Sequence, residues 1–203
     1  MNKWEQIFKQ KGKYFIKPQE EIPSLAEQWK NQGVKKILDL GCGSGRHLVY
    51  LAKRGFNVYG FDQSQKGISI CKTWLEKEGL HSIIKKGNMF DRLPFKDDYF
   101  DAVLSIETLH HGKSTDIKKL IQEIERVLKN KGLIFIGVPK TRHQAKKYRK
   151  IAEHTYVPLD SIEKGLPHYY FSKKSIIEFF SAFHIQDIHI DKGNHYCFSG
   201  IKK

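Results

Sequence analysis

A short segment near residue 40 constrains the fold of this chain more than any other. The apolar run 37–40, which includes Asp39, leads into a loop with glycine at positions 41, 43 and 45, and a helical pattern begins at Arg46. Glycines at this spacing let the backbone turn sharply and approach a ligand closely, and the helix that follows offers unpaired N–H groups. Because the acid at the strand end favours a cation over a phosphate, the segment predicts a site for a nucleoside-type cofactor that carries positive charge.

Strand and helix patterns alternate from residue 35 to residue 138. The predicted strands are 35–40, 57–61, 82–86, 99–106 and 132–138, and the predicted helices are 44–54, 64–78 and 116–129. This alternation predicts right-handed βαβ units with a parallel sheet. A helix at 172–183 and two strands joined by a tight turn, 185–190 and 196–201, complete the chain. Two strands joined in this way pair antiparallel. We therefore predict a three-layer α/β/α sandwich with a mostly parallel seven-stranded sheet and an antiparallel C-terminal strand.

Two segments lie outside the alternation. Residues 1–33 form a predicted helical lead, and residues 140–171 form a predicted cap or insertion, so we interpret 1–203 as a single domain with two additions. The lead carries Trp4, Phe8, Tyr14 and Phe15, which either close over a ligand or anchor the lead to the core. The cap contains Pro-His-Tyr-Tyr-Phe at 167–171, which is either a wall of the site or an aromatic plug beneath the next helix.

The charge of the chain has two interpretations. A net charge of +14 suits a polyanionic partner such as RNA, but it also suits a lysine-rich solvated surface. The charge is spread along the chain except in the run 140–150, where basic residues surround Tyr148. No apolar stretch is long enough to span a bilayer, no N-terminal apolar region suggests a signal peptide, and three scattered cysteines fit a reducing compartment. We expect a cytoplasmic protein with no membrane partner.

Five blocks carry a family resemblance in the expected order. They are Asp-Leu-Gly-Cys-Gly-Ser-Gly at 39–45, Gly-Phe-Asp-Gln-Ser at 60–64, Gly-Asn-Met at 87–89, Leu-Pro-Phe at 93–95 leading into Phe-Asp-Ala-Val at 100–103, and Arg-Val-Leu-Lys-Asn-Lys-Gly at 126–132. From Val34 onward the chain resembles the class I, Rossmann-like S-adenosylmethionine-dependent methyltransferases. A dinucleotide-binding fold is the rival interpretation, but its fingerprint places Gly or Ala where this chain has Arg46.

The resemblance implies S-adenosylmethionine as cofactor and S-adenosylhomocysteine as product. The cofactor-binding residues it implies are Asp39, Gly41, Cys42, Gly43, Gly45, Asp62, Gln63, Asn88, Met89 and Ser105. In this interpretation Asp62 accepts the ribose hydroxyls and Met89 lies against the adenine. Asn88 stands where the family often has aspartate, so it would accept a hydrogen bond from the adenine amino group without the help of a charge.

The sequence defines the residues that would bind the methyl acceptor less well than those that would bind the cofactor. Methyl transfer from a sulfonium depends on positioning, and a base is needed only if the acceptor must lose a proton. Glu107, His110 and His111 follow the fourth strand, whose carboxyl end faces the ligand crevice, so they are the catalytic candidates. Alternatively, Glu107 orients the loop and the histidines cap the next helix. We expect no metal, because neighbouring histidines point apart and no third ligand stands at a recognisable spacing.

Three functions remain open from the sequence. The first, which we favour because no RNA-binding domain is appended, is methylation of a small molecule with 140–171 forming the acceptor pocket. The second is methylation of RNA, such as tRNA, through the basic surface at 140–150. The third is a non-catalytic regulator that binds adenosylmethionine. His195 and Tyr196 are interpreted as packing residues of the last strand.

Overall fold

The computed structural model describes residues 3–13, 15–142 and 145–203. Tyr14 of the predicted lead, and His143 and Gln144 of the basic run, lie outside the described residues. The helices are α1 (Lys3–Lys11), α2 (Ile22–Asn31), α3 (Arg46–Ala52), α4 (Gln65–Lys77), α5 (Ser114–Val127) and α6 (Lys173–Phe179). The strands are β1 (Lys36–Leu40), β2 (Asn57–Asp62), β3 (Ile83–Lys86), β4 (Phe100–Ile106), β5 (Leu128–Pro139), β6 (Tyr148–Ala152), β7 (Thr155–Pro158), β8 (His168–Tyr169), β9 (Phe183–Ile190) and β10 (His195–Lys202). Within these ranges, none of the helices combines the length and apolar character that crossing a membrane requires.

The central sheet has seven strands in the order β3-β2-β1-β4-β5-β10-β9. The pairs among β1 to β5 are parallel, whereas β10 runs antiparallel to both β5 and β9. A short connection between β9 and β10 forces their antiparallel pairing, and β10 then fills the position between β9 and β5. The predicted sheet, mostly parallel with an antiparallel C-terminal strand, is confirmed.

Helices cover both faces of this sheet because strand residues alternate in direction. In β1, Leu38 packs in the apolar cluster that includes Leu120 of α5. Its neighbour Ile37 packs in the opposite cluster with Trp29 of α2 and Leu48 of α3. The two clusters separate three layers, as the sequence predicted for an α/β/α sandwich.

The C-terminal helix is shorter than the sequence pattern indicates. The prediction was 172–183, but α6 ends at Phe179 and β9 already begins at Phe183. Phe180 follows the helix as its C-terminal capping residue and is fully buried against Phe183 and Phe198. The apolar spacing therefore continues past the end of the helix, because Phe180 packs into the core from the connection between α6 and β9.

The predicted cap region contains a second sheet that the sequence did not reveal. Strands β6, β7 and β8 form a three-stranded antiparallel sheet. The described part of the basic run enters β6, where Arg149 and Lys150 are exposed. Strands this short, one of them only two residues long, leave too little periodicity for a sequence pattern to show.

Arg126, at the end of α5, fixes the loop between β3 and β4. Its Nη2 donates to the Leu93 carbonyl at 3.0 Å, and its Nη1 donates to the Phe95 carbonyl at 2.9 Å. The same guanidinium bonds to Glu123 at 2.7 Å and to Asp97 at 2.6 Å. Two of the sequence blocks, 93–95 and 126–132, are therefore coupled through one side chain.

We predict that Arg126→Lys lowers the free energy of unfolding by about 2 kcal/mol, because an ammonium cannot replace this fork of hydrogen bonds. In a chain of this size that corresponds to a fall in Tm of about 4–8 °C, measurable by thermal denaturation. The control is Arg92→Lys: the Arg92 side chain is 75% exposed and lies 3.7 Å from Asp97. Exposed pairs contribute about 0–1 kcal/mol, so an equal loss in both variants would contradict the prediction.

Candidate functional site

A cavity of about 640 Å³ lies where the parallel strands end. Gly41 follows β1, Asp62 ends β2, Asn88 follows β3 and Glu107 follows β4, and all four line the cavity. The carboxyl ends of parallel strands are the usual ligand edge of such a sheet. The cavity is therefore the candidate functional site.

The glycine loop passes close to two neighbouring segments. Gly41 and Gly45 have φ of +83° and +95°, in the left-handed region that favours glycine. A Cβ at Gly41 would lie 2.1 Å from Thr108 Oγ1, and a Cβ at Gly45 would lie 2.4 Å from Cys71 Sγ. The Gly41 N–H donates to the Phe61 carbonyl at 2.7 Å. Both the conformation and the surroundings require glycine at these two positions.

Asp62 is held by backbone N–H groups at the mouth of this loop. Its Oδ2 accepts from the Gly43 N–H at 2.9 Å and its Oδ1 accepts from the Ser64 N–H at 2.7 Å. Burial raises the pKa of Asp62, while the N–H groups of Ser64 and Gly43 oppose that shift. The Gln63 N–H also bonds to this carboxylate, which has about four acceptor positions and so keeps capacity for a further donor such as a hydroxyl.

Asp39 lies behind the loop rather than in the cavity. It is 2% exposed, and its Oδ2 has no hydrogen-bond partner among the described residues. Burial raises the pKa of Asp39 to about 7, which the charge of Arg46 partly opposes. The carboxylate has a backbone hydrogen bond from Leu48 but keeps one buried oxygen without a partner, an electrostatic feature that a cationic ligand nearby would stabilise.

The structure brings most, but not all, of the predicted site residues to the cavity. The residues that line it are Gly41, Cys42, Gly43, Asp62, Gln63, Asn88, Met89, Glu107, His110 and His111. Three other candidates, Asp39, Gly45 and Ser105, are not among its lining residues. Burial raises the pKa of the Cys42 thiol well above its ordinary value, which fits a small loop residue rather than a nucleophile.

Aromatic residues of the N-terminal lead cover the cavity. Trp4, Phe8 and Phe15 all line it. Glu5 fixes the position of α1, because its carboxylate accepts from the Ser64 hydroxyl at 2.8 Å and from the Lys66 N–H at 2.9 Å. These three aromatic residues therefore lie at the ligand edge of the sheet, whereas Trp29 of the same lead packs in the core.

The turn after β4 places two neighbouring histidines side by side. Glu107 has φ of +53°, and the His111 N–H closes the turn by donating to the Thr108 carbonyl at 3.1 Å. The ring centroids of His110 and His111 are 4.0 Å apart. The expectation that these side chains point apart is therefore wrong, because a turn carries them rather than a strand or helix.

A third histidine reaches the same place from the cap. The His168 ring lies 5.2 Å from the His110 ring and 4.7 Å from the His111 ring, centroid to centroid. His168 Nε2 is 3.0 Å from Glu163 Oε2, and His168 Nδ1 donates to the Leu166 carbonyl at 2.9 Å. The sequence showed no third ligand because β8 supplies it from far along the chain.

The segment 167–171 serves two purposes at once. The side chain of His168 faces the two histidines of the turn, whereas Tyr169 and Phe171 pack against Phe179 in the core. This is the two-residue alternation of an extended strand. Both interpretations of this segment therefore apply, but to different residues: His168 faces the two histidines of the site, and Tyr169 and Phe171 form the aromatic plug.

Burial keeps the histidines of the turn neutral. It lowers the pKa of His111 to about 4, and the neighbouring His168 contributes to that shift. Burial likewise lowers the pKa of His110 well below its ordinary value. Near neutral pH each ring has one lone pair, so each can accept a proton or bind a metal ion.

Glu107 belongs to a charged network at the side of the cavity. Its carboxylate lies 3.2 Å from Arg46 Nη2 and 3.1 Å from His195 Nε2. His195 also contacts Asp191 at 3.0 Å and lines the cavity, so its interpretation as a packing residue missed this position. The sequence could have indicated this position, because a C-terminal strand that runs antiparallel to the others begins at the edge of the sheet where the parallel strands end.

Comparison with known proteins agrees with this geometry. The family model described as "Methyltransferase domain" matches residues 38–136. The ubiquinone biosynthesis O-methyltransferase of Bartonella bacilliformis is 34% identical over 102 residues, which cover 50% of this chain and 40% of that protein. The chain spans about half the length of the curated relatives it matches.

Solved structures share the fold across most of the chain. The PH0226 protein from Pyrococcus horikoshii OT3 has a TM-score of 0.73 at 21% identity, covering 91% of this chain and 92% of that one. The 1,6-didemethyltoxoflavin-N1-methyltransferase of Burkholderia thailandensis, solved with 1,6-didemethyltoxoflavin and S-adenosylhomocysteine, has a TM-score of 0.70 at 16% identity. That match covers 91% of this chain and 79% of the other.

We predict that Asp39→Asn raises the Tm of the ligand-free protein at pH 8. The folded-state pKa of Asp39 is about 7, above its ordinary value of 3.8, so folding stability falls as pH rises between these two values. The amide removes that cost, and each kcal/mol recovered raises Tm by about 2–4 °C.

Thermal scans of both proteins from pH 8 down to pH 5 measure the effect. The gain from Asp39→Asn should shrink toward pH 5, where the wild-type carboxyl becomes protonated in the folded state. A pH-independent difference would contradict this explanation.

Proposed function

Because residues 38–136 match the family model for a methyltransferase domain and the chain shares its fold with S-adenosylmethionine-dependent methyltransferases, we propose that this chain transfers a methyl group from S-adenosylmethionine to a small-molecule acceptor. One observation carries the proposal. A single covered cavity contains both the glycine loop with Asp62 and the histidines of the turn after β4. Its volume of about 640 Å³ lies within the usual range of about 300–1,000 Å³ for small-molecule sites.

The chain's own residues fit the cofactor at the donor end. Gly41 and Gly43 would border its methionine part, and Asp62 would accept from the ribose hydroxyls. Asn88 and Met89 would contact the adenine, with the Asn88 Oδ1 already accepting from the Phe90 N–H at 3.2 Å. The buried Asp39 would stabilise the positive charge of the ligand through the loop. When bound, this cofactor supplies a methyl group on a sulfonium, which leaves as a neutral thioether.

The residues at the acceptor end suit an acceptor that carries a hydroxyl or thiol. His110 and His111 are neutral near pH 7 and line the cavity, so each ring can accept a hydrogen bond from such a group, although the lowered pKa values make both rings weak bases. Glu107, held between Arg46 and His195, would orient the acceptor or the turn itself. Much of the rate would come from holding the acceptor in line with the methyl group.

The covering of the cavity supports a small acceptor over RNA. Trp4 and Phe15 of the lead and Ile162 and Leu166 of the cap all line the cavity. A polynucleotide would need an open groove along which its phosphates could lie. The matched relatives include enzymes named for ubiquinone biosynthesis and for a fatty-acid acceptor.

A turnover assay tests this proposal. Purified protein is incubated with radiolabelled adenosylmethionine and a cell extract, with or without prior nuclease treatment. We expect label in low-molecular-weight products in both arms. Label in nuclease-sensitive polymer would support RNA methylation instead, and binding of adenosylmethionine with no labelled product in any fraction would support a regulator.

We also predict that Asp62→Asn weakens binding of adenosylhomocysteine by about 10–100-fold, because hydrogen bonds to a carboxylate contribute about 1.5–3 kcal/mol. Isothermal titration calorimetry measures the change. The control is Asp98→Asn: Asp98 is exposed and has φ of +50°, a conformation that asparagine tolerates. Equal affinity in wild type and Asp62→Asn would remove Asp62 from the site.

A further inference from the structure

The acceptor end of the cavity carries a group of metal-binding side chains. We propose that His110, His111 and His168, together with Glu163, form a site for a divalent transition-metal ion of the zinc type. We call these four residues the histidine cluster. Metal binding does not rest on the proposed methyl transfer, but a ring that binds the ion has no lone pair left, so the ion would then take the place of His110 and His111 as the group that meets the acceptor.

The first support is convergence. One ring nitrogen from each of the three histidines lies within 4.8 Å of the others, and all three residues are buried. Glu163 adds a carboxylate, with Oε2 at 3.0 Å from His168 Nε2 and Oε1 at 3.9 Å from His111 Nε2. Small movements of these side chains would bring four donors to the spacing of a tetrahedral site.

The second support is an unsatisfied side chain. His110 is 1% exposed, and neither of its ring nitrogens has a hydrogen-bond partner among the described residues. A buried polar group left without a partner destabilises the folded state. A cation bound between the rings would use the lone pair of His110 and those of its two neighbours together.

The orientation of His168 gives a third support. Its Nδ1–H donates to the Leu166 carbonyl, which leaves the Nε2 lone pair directed at Glu163. A backbone carbonyl on the far nitrogen is the usual outer partner of a metal-bound imidazole. His168 Nε2 and Glu163 Oε2 lie 3.0 Å apart, so a metal ion bound at this nitrogen would also be within reach of the carboxylate.

The donor set and its placement indicate both the metal and its accessibility. Three imidazoles with a carboxylate suit Zn²⁺ and similar ions, which in catalytic sites keep a position open for substrate. His110, His111 and Glu163 line the cavity, whereas His168 is not among its lining residues. With four protein donors bound, the ion would meet the acceptor on the cavity side by expanding to five-coordinate, and it could there lower the pKa of a bound hydroxyl or thiol.

A second group with metal-ligating atoms is less suitable. Glu21, His189 and Cys197 also lie within reach of one another. His189 Nδ1 is already 2.6 Å from Asp187, and the Gln19 amide donates to Cys197 Sγ at 3.1 Å. This group serves as an internal comparison for the test.

The test is a Co²⁺ titration of untagged, metal-depleted protein, followed by its visible d–d absorption and by displacement with Zn²⁺. We expect a single equivalent of Co²⁺ in a low-symmetry nitrogen–oxygen site, displaced by Zn²⁺. His110→Asn and His168→Asn should each weaken Co²⁺ binding at least about tenfold. His189→Asn, in the second group, and His184→Asn, at an exposed position, should bind as the wild type does.

His110→Asn is the deciding variant, because His110 has no side-chain hydrogen bond to lose and its removal should leave folding intact. Circular dichroism and Tm confirm that each variant is folded. The proposal is overturned if the wild type takes up no Co²⁺, if folded His110→Asn binds as tightly as the wild type, or if His189→Asn abolishes binding. None of these readouts depends on turnover, so a failure here is distinct from a failure of the methyl-transfer proposal.

Discussion

The close contact between Gly41 and Thr108 is the constraint on which the rest of the site depends. No side chain fits at Gly41, because its Cβ would lie 2.1 Å from Thr108 Oγ1. The backbone of the glycine loop therefore packs directly against the Thr108 side chain in the turn after β4. Since His110 follows Thr108 by two positions, this contact also sets the spacing between the donor end of the cavity and its histidines. A single glycine thus links the two halves of the proposed reaction.

The cap completes the proposed acceptor end of the cavity through one backbone hydrogen bond. The Tyr169 N–H donates to the His110 carbonyl at 2.8 Å, which joins β8 to the turn after β4. Alternation along β8 then directs His168 to the turn and Tyr169 into the core. Glu163 follows from the same placement, because it contacts both His168 and His111. The proposed acceptor site therefore depends on how β8 pairs with the turn after β4.

The sequence predicted the sheet well and the acceptor site poorly, for the same physical reason. Strands such as β1 and β4 and helix α5 show a local periodicity of apolar residues, and the glycine loop is recognised from the spacing of its glycines. Each of these features can therefore be predicted from residues that are neighbours in the sequence. The meeting of His111 with His168 depends instead on a turn with positive φ at Glu107 and on pairing of a two-residue strand. Such contacts depend on long-range packing that no local pattern records. His195 lies between these cases, since the predicted antiparallel strand already implied its place.

The chain as a whole is positively charged, whereas most of the charged side chains that line its cavity are negatively charged. The chain carries a net +14, yet Asp62, Glu107 and Glu163 line the cavity and the buried Asp39 lies behind its loop. Among the described lining residues Arg46 is the cationic side chain, and Glu107 neutralises it at 3.2 Å. Electrostatic interactions are stronger in a covered site than at a solvated surface, so the local carboxylates outweigh the distant lysines. Such a cavity favours a sulfonium or a divalent cation and disfavours a phosphate backbone. The net positive charge of the chain therefore does not indicate which ligand the cavity binds.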